Sequence, residues 1–170
     1  LGFMAAENVN GKGWLRGGLR FVLNADRSID TLIVAIIFGG AYGLGPLPGT
    51  LALAIHSVGM LAKLFYEAIE SIDGGPVEAL ESAGSSHLGV IRWAMIPQVV
   101  PFFISYTLYR LELNVRGAVV LGLVGGGGIG RLLMEYSAVA DWGKVATVIV
   151  VIMVLVMVLD GVSAKLRRDL

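Results

Sequence analysis

The chain has 170 residues, 56% hydrophobic and only 15% charged, with a formal net charge of zero and a mean hydropathy of +0.79. A water-covered globule of this size is excluded, because solvating its surface takes about 25% charged residues, and zero net charge gives no electrostatic ground for binding nucleic acid. Cysteine is absent, which excludes disulfides, thiolate metal sites and cysteine nucleophiles; His56 and His87 lie too far apart for a local metal motif, and no cofactor is expected.

Residues 1–30 are mixed and mildly basic, with Lys12, Arg16, Arg20 and Arg27. Glycines at 11, 13, 17 and 18 argue against a rigid span there. Arg16 and Arg20, one turn apart, suit a helix lying on the membrane surface from about Trp14 to Leu23. The chain begins at Leu1 with no basic-then-apolar leader, so it reads as a piece of a longer protein cut on its N-terminal side.

From Thr31 to Gly45 the chain is apolar, Pro46 and Pro48 interrupt the pattern, and Thr50 to Phe65 resumes it. One helix would carry two prolines in its middle, so the expectation is two short spans joined by a tight Gly/Pro turn. Each arm falls short of the ~20 residues that cross hydrocarbon, so its ends need shelter from protein. Residues 67–97 are polar, with Glu67, Glu70, Asp73, Glu78, Glu81, His87 and Arg92, and Gly74-Gly75-Pro76 as a breaker. Gln98 to Val124 is apolar again but holds Arg110, Glu112, Asn114 and Arg116. Gly125 to Lys144 reads as a glycine-rich connection. Val145 to Leu159 is the purest apolar run, with Lys165, Arg167 and Arg168 soon after it.

The fold expected is an all-α membrane protein: a polytopic helical bundle of about four transmembrane helices. Residues 1–30 form an interfacial segment and residues 31–170 the transmembrane domain. Four spans place residues 1–30, the 67–97 loop and the C-terminus on one side, with Lys12, Arg16, Arg20, Arg27, Arg92, Lys165, Arg167 and Arg168; the other side holds Arg131 and Lys144. The positive-inside rule makes the first side cytoplasmic. Lys63 is expected to snorkel to that edge.

In the cytoplasmic loop, Glu78-Ala79-Leu80-Glu81-Ser82-Ala83-Gly84 is followed by twelve residues and then Pro97. Glu78, Glu81 and Ser82 fall on one face of a short helix, and Ala79 and Ala83 share another at i, i+4 spacing, where small side chains let a partner approach. Gly84 suits the turn that ends such a helix. His87 to Met95 suits a second short helix before Pro97, which opens the next span. The product is a helix–turn–helix knob over about residues 73–97, able to carry force between a soluble partner and the spans. An ordinary polar loop fits the same residues.

The segment resembles the coupling loop of ABC importer permeases: Glu-Ala-Ala, three residues, Gly, nine residues, Ile, one residue, Leu-Pro. Glu78, Ala79, Gly84 and Pro97 stand at that spacing, while Leu80, Ala94 and Ile96 depart from it with apolar side chains. Arg27-Ser28-Ile29, His56-Ser57-Val58-Gly59-Met60, Ser105 to Arg110, Asn114-Val115-Arg116 and Val120 to Gly130 are similar to the phosphonate-import branch, over roughly residues 26–170. Asp30 stands where that branch commonly has proline. The resemblance implies an absent N-terminal portion with at least one span. It implies a prokaryotic inner-membrane location and a homodimer with a second permease copy. It also implies an ATP-binding cassette ATPase docked on Glu78, Ala79, Glu81, Ala83, Gly84 and Pro97, and an extracytoplasmic binding protein that delivers phosphonate, phosphite or another small oxyanion.

Gly125-x-Gly127-x-x-Gly130 matches the dinucleotide fingerprint by letters, but an acidic residue is required about 20 positions on and position 150 is Val. Gly125, Gly127, Gly128 and Gly130 form either a flexible outer loop or an outer gate at which backbones approach and bend. No phosphate-binding Walker motif occurs, so ATP hydrolysis is assigned to another chain and the subunit itself is read as no enzyme.

Charges within hydrocarbon face a bundle interior or a water-filled path. Glu112 and Arg116 have the spacing of a helical ion pair. Alternatively Arg110 or Arg116, with Asn114, lines a translocation path and offers donors to an oxyanion, which the planar guanidinium fork matches. His56 reads as a packed interior histidine. Two other classes remain: a membrane enzyme, for which the outer segment offers Arg131, Glu135, Asp141 and Lys144, and a scaffold without transport.

Overall fold

The computed structural model describes residues 1–7 and 13–168; Gly11 and Lys12, which entered the reading of the N-terminal segment, lie outside the described residues. Among the described residues all regular structure is helical: α1 (Gly2–Ala5), α2 (Gly13–Ser28), α3 (Thr31–Tyr42), α4 (Pro46–Glu70), α5 (Gly74–Ser82), α6 (His87–Val90), α7 (Ile96–Leu121), α8 (Gly128–Ala138) and α9 (Trp142–Arg168). Three stretches are long and apolar enough to cross a membrane: Pro46–Glu70, His87–Gly126 and Trp142–Arg168. The fourth apolar helix, Thr31–Tyr42, has 12 residues.

The turn between α3 and α4 forms where expected, but its prolines do not. Asp30 caps α3, its Oδ1 accepting from the Leu32 N–H at 2.8 Å, and Gly43 ends the helix at φ +84°. Pro46 then opens α4, where a missing N–H leaves no bond unmade. The second arm is therefore a full span of 25 residues rather than a short one.

α4 is the hub of the bundle, touching α1, α2, α3 and α7. Its buried face carries Pro48, Gly49, Ala52, Gly59, Ala62 and Ala68, and such small residues let helix backbones approach closely in a membrane. Near one end Ala5, Ala6, Leu23, Ala62, Tyr66, Ile69 and Val99 form a core, with Phe3, Leu19, Ile72 and Phe103 packed on it. Phe103 stacks on Phe65 with ring centroids 4.1 Å apart. A second core joins Ala35 of α3, Ala52 of α4 and Leu121 of α7.

The N-terminal segment is docked rather than merely laid on a surface. Leu23 of α2 is buried in the first core, while Trp14, Phe21 and Val22 face outward. Arg20 ties the segment down. Its Nε and Nη2 donate to the Ala5 carbonyl at 2.9 and 2.8 Å, its guanidinium pairs with Glu70, and it lies 4.7 Å over the Tyr66 ring.

Two π turns modify the third stretch. Ile91–Met95 joins α6 to α7, so the expected second short helix of the loop is continuous with the span instead of ending before Pro97. A widened turn fits here, because the Pro97 ring would crowd the carbonyl four residues back and supplies no N–H to it. Gly122–Gly126 forms the other, with Val124 and Gly125 leaving helical geometry. The connection from 125 to 144 is not a bare loop; it contains α8.

α9 leans on α7 through charges. Arg116 Nη2 donates to both Asp160 oxygens at 3.0 and 2.9 Å, and Arg167 pairs with Glu112. The expected Glu112–Arg116 pair does not form; each residue turns instead to a partner on α9. Lys63 likewise pairs along its own helix, Nζ lying 3.4 Å from Glu67 Oε1.

Candidate functional site

Three features stand out from the apolar scaffold: an exposed knob, a polar cavity and a glycine bend. The knob begins at Asp73, whose Oδ1 caps α5 by accepting from the Gly75 N–H at 3.0 Å. α5 ends at Gly84, which takes φ +77°. The Gly84 N–H donates to the Glu81 carbonyl at 2.9 Å and the Ser85 N–H to that of Leu80 at 3.0 Å. This is the six-to-one and five-to-two bonding of a Schellman cap, which closes a helix through a left-handed residue. Ser86 restarts the helix, its Oγ accepting from the Gly89 N–H at 3.3 Å. Glu78, Ala79, Glu81, Ala83, Gly84 and Pro97 are all exposed.

Gln98 fastens the knob to the span. Its Oε1 accepts from the Asp73 N–H at 3.0 Å, and its Nε2 donates to the carbonyls of Asp73 at 3.3 Å and Ala94 at 2.9 Å. Inspection of sequence missed this residue. Its signal was a lone amide at the boundary between polar loop and apolar span.

The cavity, about 280 Å³, lies between α3, α4 and α7 and is lined by Asp30, His56, Arg110 and Asn114 among apolar residues. Arg110 is only 6% exposed. Its Nε donates to Ser57 Oγ at 3.1 Å, and its Nη1 lies 3.7 Å from Met60 Sδ. Asn114 Nδ2 donates to the same Ser57 oxygen at 2.9 Å, and the Ser57 hydroxyl itself donates to the Leu53 carbonyl. One hydroxyl thus orients both the cation and the amide. In the sequence Ser57 enters only through the family resemblance and not as a site residue, although a hydroxyl inside an apolar span signals a polar partner.

Of the residues expected to line a path, Arg110 and Asn114 come together and Arg116 does not; it belongs to the α7–α9 contact. His56 also lines the cavity of Arg110, and its Nδ1 is buried without a hydrogen-bond partner.

The glycine bend joins α7 to α8. Gly125, Gly127 and Gly128 take φ of +96°, +76° and +69°. Gly122 and Gly130 pack backbone to backbone: a Cβ on Gly130 would stand 2.0 Å from the Val119 carbonyl oxygen and 2.8 Å from Gly122 Cα. The opening turn of α4 rests on the bend, with Gly49 facing Gly126 and Pro46 facing Gly127. The bend also opens onto a second cavity, of about 570 Å³, with Arg131 and Glu135 at its edge.

A family model described as binding-protein-dependent transport system inner membrane component matches residues 1–170. The chain is 45% identical over 166 residues to the phosphite transport system permease protein PtxC of Stutzerimonas stutzeri, covering 98% of this chain and 60% of that one. It is 39% identical over 170 residues to the phosphate-import permease protein PhnE of Mycolicibacterium smegmatis, covering 100% of this chain and 32% of that one. The chain thus spans 60% or less of the length of these two relatives. A solved structure of the MetNI methionine ABC transporter, in an inward facing conformation, shares the fold. It aligns with a TM-score of 0.77 at 21% identity over 93% of this chain and 76% of that one.

Proposed function

We propose a transport function from one established premise: this chain belongs to the family of binding-protein-dependent transport system inner membrane components. It is the membrane-spanning permease part of an ATP-driven importer for a small oxyanion, phosphite or phosphonate in the first place. The carrying observation is the cavity with a nearly buried arginine inside a largely apolar bundle. A charge held there is costly unless it has a use, and a guanidinium suits a tetrahedral oxyanion. The name of PtxC, a phosphite transport system permease protein, supports the substrate class.

In this reading Glu78, Ala79, Glu81, Ala83, Gly84 and Pro97 dock an ATP-binding cassette ATPase on the cytoplasmic side. A soluble binding protein presents the anion at the opposite face. Two copies of the permease meet around the path, and the bend at Gly125, Gly127, Gly128 and Gly130 gates its outer mouth. The basic residues Arg16, Arg20, Arg27, Arg92, Arg167 and Arg168 support this orientation. Hydrolysis of ATP belongs to the partner subunit. An enzyme reading finds less support, because the acidic residues of the outer segment are already paired, Glu135 with Arg131 and Asp141 with Lys144.

The test is reconstitution of the full-length subunit with its neighbouring ATPase and binding protein in proteoliposomes. Phosphite or phosphonate with the binding protein should stimulate ATP hydrolysis and drive uptake, and Arg110→Gln should abolish uptake while the complex still assembles. ATP-independent turnover, or uptake indifferent to Arg110→Gln, would remove this reading.

A further inference from the structure

α2 and α3 together run antiparallel to α4. Arg20 lies over Tyr66 and reaches Glu70, Asp26 packs on Gly59, and Ala35 shares a core with Ala52, so numbers rise along the first two helices as they fall along the third. The pair amounts to one span, interrupted at Ile29 and Asp30 between Ser28, which ends α2, and Thr31, which begins α3. Non-helical backbone at such a depth is tolerated only where it is buried in protein or lines a water-filled cavity. This break opens on the cavity already described, which Asp30 and Thr31 line together with Arg110 and Asn114.

Arg27 sits just before the break. Its position in the sequence groups it with the basic residues of the cytoplasmic side, yet it stands two helical turns beyond Arg20, about 10 Å further from that end of the bundle. It is exposed, and among the described residues its side chain makes no ion pair or hydrogen bond. Neither neighbouring carboxylate serves it: Asp26 is turned against Gly59, and Asp30 accepts from the Leu32 N–H. Arg16 and Arg20 on the same helix are both paired, with Glu7 and Glu70. α2 also sorts its residues by side. Arg16, Arg20, Asn24 and Arg27 fall on one face, whereas Trp14, Leu15, Phe21 and Val22 fall on the opposite one and are exposed. The apolar face suits lipid. A guanidinium without a partner at this depth faces a water-filled path instead.

Resting on the reading that the Arg110 cavity lies on the transport path, we propose that Arg27 is a second anion-binding residue of that path, on the cytoplasmic side of the cavity. Asp26, beside it, is level with Gly59, whereas Leu53 and His56, which line the cavity, stand nearer the Pro46 end of α4, the outer end in this reading. An oxyanion leaving Arg110 inward meets the Arg27 guanidinium next, with the Asn24 amide one turn below it. The two arginines differ in strength. Arg110 is only 6% exposed and holds an anion in a low dielectric, while the exposed Arg27 competes with water and holds it weakly. Passage needs such a graded pair, since a single tight site would bind the anion without releasing it.

These 170 residues hold no cysteine, so a single introduced thiol reports water and anion directly. In the full-length subunit, freed of any other cysteine and purified with its ATPase, Asn24→Cys and Val22→Cys are treated with a negatively charged thiosulfonate. Asn24→Cys should react at least tenfold faster than Val22→Cys on the apolar face, and saturating phosphite should slow it at least threefold. Phosphite uptake into proteoliposomes, with the binding protein present, is then compared for native, Arg27→Gln, Arg27→Lys and Arg110→Gln complexes, each scaled to the ATPase that co-purifies. Arg27→Gln should lower uptake at least tenfold, and Arg27→Lys, which keeps the charge, should lose less. Equal labelling of the two cysteines, labelling of Asn24→Cys indifferent to phosphite, or uptake by Arg27→Gln within twofold of native overturns the inference. If Arg110→Gln loses uptake while Arg27→Gln keeps it, only this inference falls. If Arg110→Gln transports normally, the cavity reading falls with it.

Discussion

Gln98 holds the backbone of Asp73 from both sides, accepting from its N–H at 3.0 Å and donating to its carbonyl at 3.3 Å. The base of the exposed knob is thereby fastened to the first turn of α7 by one amide, so a push on α5 is delivered to the span rather than absorbed in a loop.

Replacing Gln98 with Ala should loosen the knob without unfolding the bundle. A hydrogen bond contributes about 1 kcal/mol, so amide exchange across α5 should quicken at least about fivefold. Hydrogen-exchange mass spectrometry on the reconstituted complex is the check, with exchange in α9 as the internal control. Stimulated ATP hydrolysis should fall relative to basal hydrolysis.

Gly84 separates backbone strain from docking. At φ +77° an alanine costs about 1–2 kcal/mol, whereas asparagine is tolerated in the left-handed region. Thermal unfolding should therefore rank Gly84→Asn above Gly84→Ala. Gly84→Glu adds bulk to an exposed face and should lose the ATPase in pull-down by more than its loss of stability accounts for.

Arg116 and Asp160 form an interhelical pair that holds α9 against α7. Neutralising one member leaves the other unpaired at the contact between the two helices, where a pair this open contributes about 1 kcal/mol or less. Arg116→Gln or Asp160→Asn alone should lower the melting temperature, and the double variant should recover most of the loss. Uptake by an assembled double variant close to the native rate would mark Arg116 as structural. A rate near zero would return it to the transport path.

Arg20 joins α1, α2 and α4 through Ala5, Tyr66 and Glu70. Arg20→Met keeps the apolar stem over the ring but leaves the Ala5 carbonyl without its Arg20 donors and Glu70 with the Glu7 N–H but no cation. Losing hydrogen bonds to a charged group costs about 1.5–3 kcal/mol each. Limited trypsinolysis should then cut after Arg16 well before the spans are attacked, while native protein resists at the same dose.

Gly130 and Gly128 distinguish two reasons for a glycine. A Cβ at Gly130 collides with the Val119 carbonyl, but at Gly128 it meets open space and pays only for φ +69°. Gly130→Ala should destabilise by more than about 2 kcal/mol, as overpacking does, and Gly128→Ala by about 1 kcal/mol. Equal melting temperatures for the two would mean that the bend is not packed as described.

Much of this architecture is legible without coordinates because its causes are local. Val145 to Leu159 announces a span by composition alone, whereas the helix starts at Asp30, Asp73 and Ser86, equally local in cause, appear only in the structure. Gly84 closes α5 for a reason contained in its missing Cβ. Pro46 and Pro48 stand in the first turn of α4 rather than between two spans, since a residue that ends one helix serves equally well to begin the next.

Partner choice, by contrast, belongs to the tertiary structure. Spacing along one helix pairs Glu112 with Arg116, yet Arg116 reaches Asp160 across 44 residues and Glu112 is taken by Arg167 across 55. Ser57 meets Asn114 across 57 residues, and the cavity of His56 and Arg110 exists only once α4 and α7 have met. Hydropathy and backbone freedom are carried by each residue and survive in the bare sequence. Which charges face each other depends on how helices are rotated and packed, and that is decided by the small residues of α4 letting its neighbours close around it.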